Sequence, residues 1–314
     1  MDCPKLLIYG YYHKNNFGDN WFAKTFTELF PDFNLTFTVD ALDLLKKWDY
    51  IIVGGGNIIH KALGDILSQI QTPYEIWSVS LHDPCELEYI KNARKIIVRD
   101  STSFSYSKNS NIYYLPDINF YPNSFIKFVE TNNSIAFIPN SHIIPTYNDS
   151  ISKNQEYFRF VFECSKFIDE NNNRFSFLPL QNSREQNDIR VAHAIISHSV
   201  KKPEHILDVP VFNNIPIFNG YISMRYHGAF LGILTEKPVL YIDFHSKVKN
   251  IVKDLNLESI CYYEFSRKTI ADGLEKAFNV DLKTRQEIKN NILKKIIKYN
   301  EFAQELTQEV FSKI

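Results

Sequence analysis

Short apolar runs alternate with polar, turn-forming stretches along the whole chain. The run at 6–9 is continuous, the pattern of a strand covered on both faces, and further strands are read at 35–39, 50–53, 76–79, 96–98 and 113–115. Between them lie helical patterns. One covers 21–30, with Trp21, Phe22, Thr25, Phe26 and Leu29 on a single side, and another carries Leu42, Leu45 and Trp48. Asp100 or Ser101 is placed to cap a helix after the strand at 96–98. Residues 122–133 show little periodicity and end in Thr-Asn-Asn, which predicts a connection. A second series follows, with strands at 135–138, 175–178, 239–242 and 260–263. Helices are expected at 156–168 (Phe158, Val161, Phe162, Ser165 and Ile168 at helical spacing), 188–198, 246–255 and 268–278. From 284 to 314 the pattern is one long helix with Ile288, Ile292, Ile296 and Tyr299 along its apolar side.

Strand–helix alternation of this kind predicts an α/β protein built on doubly wound parallel sheets. The two series divide it into domains at 1–121 and 134–280, a linker at 122–133, and a C-terminal helix at 281–314 free to pack back across both.

Composition narrows the classes. Hydrophobic residues make up 44% of 314, enough for two cores and too many for disorder, and the net charge of −1 provides no field for nucleic acid. No secretory signal opens the chain, and no apolar run approaches the roughly 18 residues needed to span a bilayer. Cys3, Cys85, Cys164 and Cys261 are scattered and read as buried, reduced thiols of a cytoplasmic protein. His193 and His198 are five apart and share no helix face, so no metal site is expected. The lysines around the final helix admit peripheral membrane contact, which Glu301, Glu305 and Glu309 weaken.

The candidate chemistry centres on Ser223-Met224-Arg225-Tyr226-His227, where a short strand hands over to a helix. At the carboxyl edge of a parallel sheet, a helix N-terminus presents a positive dipole end. A fixed cation and an imidazole there suit an anionic substrate and proton transfer. The plainer reading pairs Arg225 with a neighbouring carboxylate and leaves His227 as a half-buried, satisfied side chain. Gly10 and Gly18 flank a strand–loop–helix unit that matches neither the dinucleotide nor the Walker spacing, and Gly54, Gly55 and Gly56 form either a tight turn or a ligand-facing loop.

Five stretches taken together resemble the polysaccharide pyruvyl transferase family: Gly10-Tyr11-Tyr12 with Asn16-x-Gly18-Asp19; Gly54-Gly55-Gly56; Arg99-Asp100-x-x-Ser103; Asp117-x-x-Phe120; and Ser223-Met224-Arg225-x-His227 with Lys247 downstream. The resemblance extends over residues 6–258. It implies two Rossmann-like domains facing across a cleft, as in GT-B glycosyltransferases. The implied reaction moves the carboxyvinyl carbon of phosphoenolpyruvate (PEP) onto two hydroxyls of a sugar, forming a cyclic ketal and releasing phosphate. PEP and a glycan, lipid-linked or free, are then the partners, with no cofactor and no metal. The chain departs from the family pattern at His13, Asn20, Lys61 and His142, on loops that bear on acceptor identity.

PEP carries a carboxylate and a phosphate, which favours the guanidinium fork. Arg225 ranks first for this role, Arg99 second and Lys247 third. His227 is the natural acid, and Asp19 the carboxylate for an acceptor hydroxyl, unless it serves only as an N-cap. Gly10, Asn16, Gly18, the three glycines and Ser223 would border the substrates. Two other readings stand beside this one: a GT-B glycosyltransferase using a nucleotide sugar, and a binding homologue without turnover.

Overall fold

The computed structural model describes residues 3–12, 15–107, 109–130, 133–244 and 246–313, and only the backbone of residues 130, 246–248 and 251. His13 and the side chain of Lys247 therefore lie outside the described residues. The chain divides into two units, the first made of 1–14, 18–123 and 291–314, the second of 15–17 and 124–290.

In the first unit, β1 (Lys5–Tyr9) is followed by α1 (Phe17–Leu29), β2 (Asn34–Thr38), β3 (Tyr50–Gly56), α2 (Lys61–Leu67) and β4 (Tyr74–Val79). Then come α3 (Glu86–Tyr89), β5 (Ile96–Val98), α4 (Ser101–Ser105) and β6 (Ile112–Tyr114). The strands pair in parallel in the order β2-β1-β3-β4-β5-β6. The strand order reverses between β1 and β3, the kind of switch point beside which open α/β sheets bind ligands at the carboxyl ends of their strands.

The second unit runs β7 (Phe128–Glu130), β8 (Ser134–Ile138), α5 (Ile151–Glu170), β9 (Arg174–Phe177), α6 (Ile189–Ser197), β10 (His205–Ile206) and β11 (Ile215–Ile217). It continues through β12 (Gly220–Ser223), α7 (Tyr226–Leu234), β13 (Val239–Asp243), α8 (Ser246–Asp254), β14 (Glu258–Cys261), α9 (Arg267–Asn279) and α10 (Leu282–Ile296). Its parallel order is β10-β9-β8-β12-β13-β14, with the switch point between β8 and β12. The tail is helical as expected. Ile297 separates α10 from α11 (Lys298–Phe311) while keeping right-handed helical dihedrals. No helix among the described residues is long and apolar enough to cross a membrane.

Several expectations are corrected. Helix α1 starts at Phe17, four residues early, so Asp19 sits inside its first turn and is not its N-cap. The three glycines are the end of β3 and not a loop, because strand pairing with β4 continues to Gly56↔Val79. Leu42 and Leu45 lie on a short 3-10 turn and are exposed, and Leu44 carries the burial instead. Residues 122–133 contain β7, which pairs with β11. On α5 the buried stripe is Tyr157, Phe160, Val161, Cys164 and Ile168, whereas Phe158 and Phe162 face solvent. Three of the four cysteines are exposed, and only Cys164 is buried. For Leu42, Leu45, Phe158 and Phe162 the helical period was readable, but the tertiary partner decided which side turned inward.

Glu75 is a buried carboxylate in β4, accepting from Trp77 Nε1 at 2.7 Å and Tyr50 OH at 3.2 Å. Desolvation raises its pKa above the usual carboxylate value, against the pull of Lys95. A raised folded-state value means that the native chain holds this proton more tightly than the unfolded chain. The resulting stabilisation is present at low pH and is lost as pH rises through the folded value. Relative to Glu75→Gln, wild type should therefore gain a few degrees in Tm between pH 7 and pH 5, at roughly 2–4 °C per kcal/mol. Paired thermal melts at the two pH values measure this, and parallel Tm shifts would show that Glu75 does not titrate there.

Candidate functional site

Each switch point is flanked by the residues that the sequence singled out. In the first unit Gly10 follows β1 and Gly54–Gly56 end β3. The Gly10 amide donates to the Thr38 carbonyl at 3.0 Å, and a Cβ at Gly10 would stand 2.5 Å from the Gly54 carbonyl oxygen, so only glycine fits. Tyr12 OH donates to that same carbonyl at 2.9 Å, and burial followed by the charge of Asp19 pushes its phenol well above the ordinary value. Gly55 and Gly56 take positive φ, 86° and 97°; nothing lies within 4 Å of a Cβ built at Gly56, leaving open space beside that backbone. Gly18 is buried and its carbonyl accepts from Asn119 Nδ2 at 3.2 Å, while Asp19 is half-buried.

Arg99, just beyond β5, is 7% exposed and donates in three directions: Nε to Ser80 Oγ at 3.0 Å, Nη1 to Asp117 at 2.6 Å and Nη2 to Asn57 at 3.4 Å. Asp117 also accepts from the Asn119 amide. These bonds knit the ends of β3, β4 and β5 to the turn after β6.

In the second unit Ser141 follows β8 and Arg225 follows β12, so both stand at the β8/β12 crevice. Ser223 Oγ donates to the Arg225 carbonyl at 2.7 Å and accepts from its amide at 3.2 Å, which fixes the turn from strand to helix. Arg225 is the extended N-cap of α7, and the positive end of the helix dipole lies at this edge. A Cβ on Gly228 would come within 2.3 Å of Ser223 Oγ, so this glycine lets the helix start close against the strand. His227, the second residue of α7, is half-buried and packs edge-on to Tyr226 and Phe230, with ring centroids at 5.2 and 5.4 Å.

The residue that sequence reasoning missed is Asp188. It is fully buried, and its carboxylate accepts from the amides of Ser141 (2.9 Å), Leu180 (3.2 Å) and Gln181 (3.0 Å). It also accepts from Arg225 Nε at 3.1 Å and Nη2 at 2.5 Å. The ion pair is charge-assisted and two-pronged, and it fixes the plane of the guanidinium. Arg225 Nη2 reaches Ser141 Oγ at 3.4 Å as well, while Nη1 takes no partner among the described residues. The plainer reading of Arg225, a carboxylate neighbour, is thus present, yet it leaves the far end of the fork for an anion. Asp188 precedes α6 without making a side-chain cap, so its sequence position, an acid before a helix, hides its role.

The structure brings Ser223, Arg225 and His227 together in the second unit, and Gly10, Gly18, Asp19, Gly54–Gly56 and Arg99 in the first. Asn16 belongs with the second unit, where it pairs with Gln181. No group of three metal-ligating side chains occurs among the described residues.

Comparison with known proteins follows the same lines. The profile of the family described as polysaccharide pyruvyl transferase matches residues 16–246. Curated proteins give no significant sequence match. Among solved structures, a UDP-glucosyltransferase from Polygonum tinctorium superposes with TM-score 0.59 at 8% identity, covering 99% of both chains. A putative UDP-N-acetylglucosamine 2-epimerase from Listeria monocytogenes gives 0.56 at 9%, covering 100% of this chain and 98% of its own. The chain spans 54% of a chain from accessory secretory protein 1, 2 and 3 of Streptococcus pneumoniae, with 84% of this chain covered, at 12% identity and TM-score 0.43. At such identities the first two likenesses speak to fold alone, and that fold is GT-B.

Proposed function

The chain belongs to the polysaccharide pyruvyl transferase family, and from that premise we propose that it transfers pyruvate from PEP to two hydroxyls of a sugar in a glycan. The observation that carries the PEP assignment is the Arg225 guanidinium, braced by buried Asp188 at the β8/β12 crevice with Nη1 unpartnered among the described residues. An anion meeting this group end-on gains a fixed cation whose orientation was set during folding, together with the dipole of α7.

In the reaction one sugar hydroxyl adds to C2 of PEP while the methylene carbon takes a proton and becomes a methyl group. The second hydroxyl then displaces phosphate and closes the ketal. Of the two hydroxyl protons, one is balanced by the new methyl hydrogen and the other leaves with phosphate. His227, next to Arg225 along the helix start, is the group assigned to deliver the proton.

PEP should raise the Tm of the protein, and UDP-glucose or UDP-N-acetylglucosamine should not. A ligand at 100 times its Kd adds about 2.7 kcal/mol to native-state stability. Phosphate release with a glycan acceptor would confirm turnover. Stabilisation by nucleotide sugars alone would favour glycosyl transfer, the second activity that this fold accommodates.

A further inference from the structure

A cavity of about 550 Å³ opens in the second unit at the carboxyl edge of its sheet. His142 and Ile143 contribute from the turn after β8, Phe244 from the end of β13, and Tyr262 and Tyr263 from the turn after β14. Lys153 and Glu156 reach it from the first turns of α5. Its wall is aromatic and angular: the rings of Phe244 and Tyr262 lie 6.3 Å apart at 71°, and those of Tyr262 and Tyr263 5.4 Å apart at 80°. Tyr263 is 56% exposed, and its carbonyl is held by Arg159 Nη2 at 2.6 Å. Lys153 is tied to Asp149 at 2.9 Å, whereas the Glu156 carboxylate makes no hydrogen bond or ion pair among the described residues. The cavity adjoins the Arg225 site through one 3-10 turn, in which Ser141 accepts from Arg225 and the next residue, His142, lines the cavity.

We infer that this cavity is a subsite for a neutral pyranose ring of the acceptor glycan, seated with its C–H face against the aromatic corner and its hydroxyls donating to Glu156. The assignment of the sugar as acceptor rests on the pyruvyl transfer reading; its binding does not. Rings meeting at 71° and 80° form a corner that fits a puckered chair, whereas a flat nucleobase is best held between parallel plates. A half-buried carboxylate with no partner among the described residues accepts from vicinal hydroxyls and repels phosphate, which disfavours a nucleotide and a second PEP alike. Volume and placement agree, since a few hundred Å³ at the carboxyl edge of an open sheet is where small ligands bind.

The test is saturation-transfer NMR on the full chain, without PEP, using the methyl glycosides of galactose, mannose and N-acetylglucosamine as probes. At least one glycoside should bind, with saturation strongest on the C–H protons of one face. Tyr263→Ala and Glu156→Gln should each weaken that binding about tenfold. Tyr263 is exposed and Glu156 makes no bond among the described residues, so both variants should fold, and the Tm shift given by PEP should persist in them. If no glycoside binds, if binding ignores both substitutions, or if UMP displaces the glycoside and binds more tightly, the subsite is overturned. Glycoside binding through Tyr263 without pyruvyl transfer would leave the subsite standing and overturn the reaction instead.

Discussion

His227→Asn should lower turnover by about 10²–10⁴-fold while leaving affinity for PEP close to that of wild type. The expectation follows from the place of this side chain at the start of α7, where Tyr226 and Phe230 hold its ring edge-on. Asparagine keeps the polarity and much of the bulk, so the turn from β12 into α7 survives, but it cannot deliver a proton. The reaction needs a proton on the methylene carbon of PEP, and no change in ground-state binding supplies it. PEP titration by thermal shift gives the affinity, phosphate release gives the rate, and the pH–rate profile should lose one limb. Near wild-type turnover in His227→Asn would make the histidine a packing residue and remove it from the mechanism.

Breaking the Arg225–Asp188 pair should act on both binding and folding. Asp188 receives five donors and offers only acceptors. Asn at this position presents an NH2 group to some of those donors and leaves the guanidinium without its counter-charge. Removing one partner of a buried ion pair costs about 3–5 kcal/mol. Asp188→Asn should therefore lower Tm and raise KM for PEP by about tenfold or more, because Arg225 loses the brace that orients its free end. Arg225→Lys keeps a charge beside Asp188 without the fork and should recover only part of PEP binding. In a double-mutant cycle, Arg225→Met with Asp188→Asn should cost less than the sum of the single changes, the mark of a direct pair. Additive losses, or an unchanged KM in Asp188→Asn, would show that the carboxylate does not position the arginine.

Much of this site was legible in the sequence, for a local reason. Residues 220–243 form a strand, a helix and a strand whose apolar runs and turn residues are contiguous, so Arg225 and His227 could be placed at a sheet edge before any contact was known. Asp188 could not, because its donors come from Ser141, from Leu180 and Gln181, and from Arg225, 37 residues downstream. Such convergence is set by strand order, and strand order is not written in any one segment. The same gap explains Phe158 and Phe162: a 20-residue helix with aromatics around much of its circumference has more than one plausible inner face, and the sheet chose Phe160. Arg99 was placed at a strand end by the sequence, but its bonds to Ser80, Asp117 and Asn57, 19, 18 and 42 residues away, could not be read from any one segment.

The first unit is not a continuous stretch of chain, and this fixes an order of events at the ribosome. Its sheet is complete in sequence by Tyr114, yet Trp77 packs on Tyr299, with ring centroids 5.5 Å apart, and Tyr113 packs on Phe302 at 4.8 Å. Tyr299 OH, buried, also donates to the Pro116 carbonyl at 3.2 Å. Until residues beyond Asn291 have emerged, this part of the first core is bare, even though the segment that encodes it was synthesised before the second unit began. The second unit, encoded almost wholly by 124–290, can close while its elder neighbour still waits. The half of the protein that is made first is thus the half that finishes last, and Trp77 and Tyr113 lack their Tyr299 and Phe302 contacts throughout the interval.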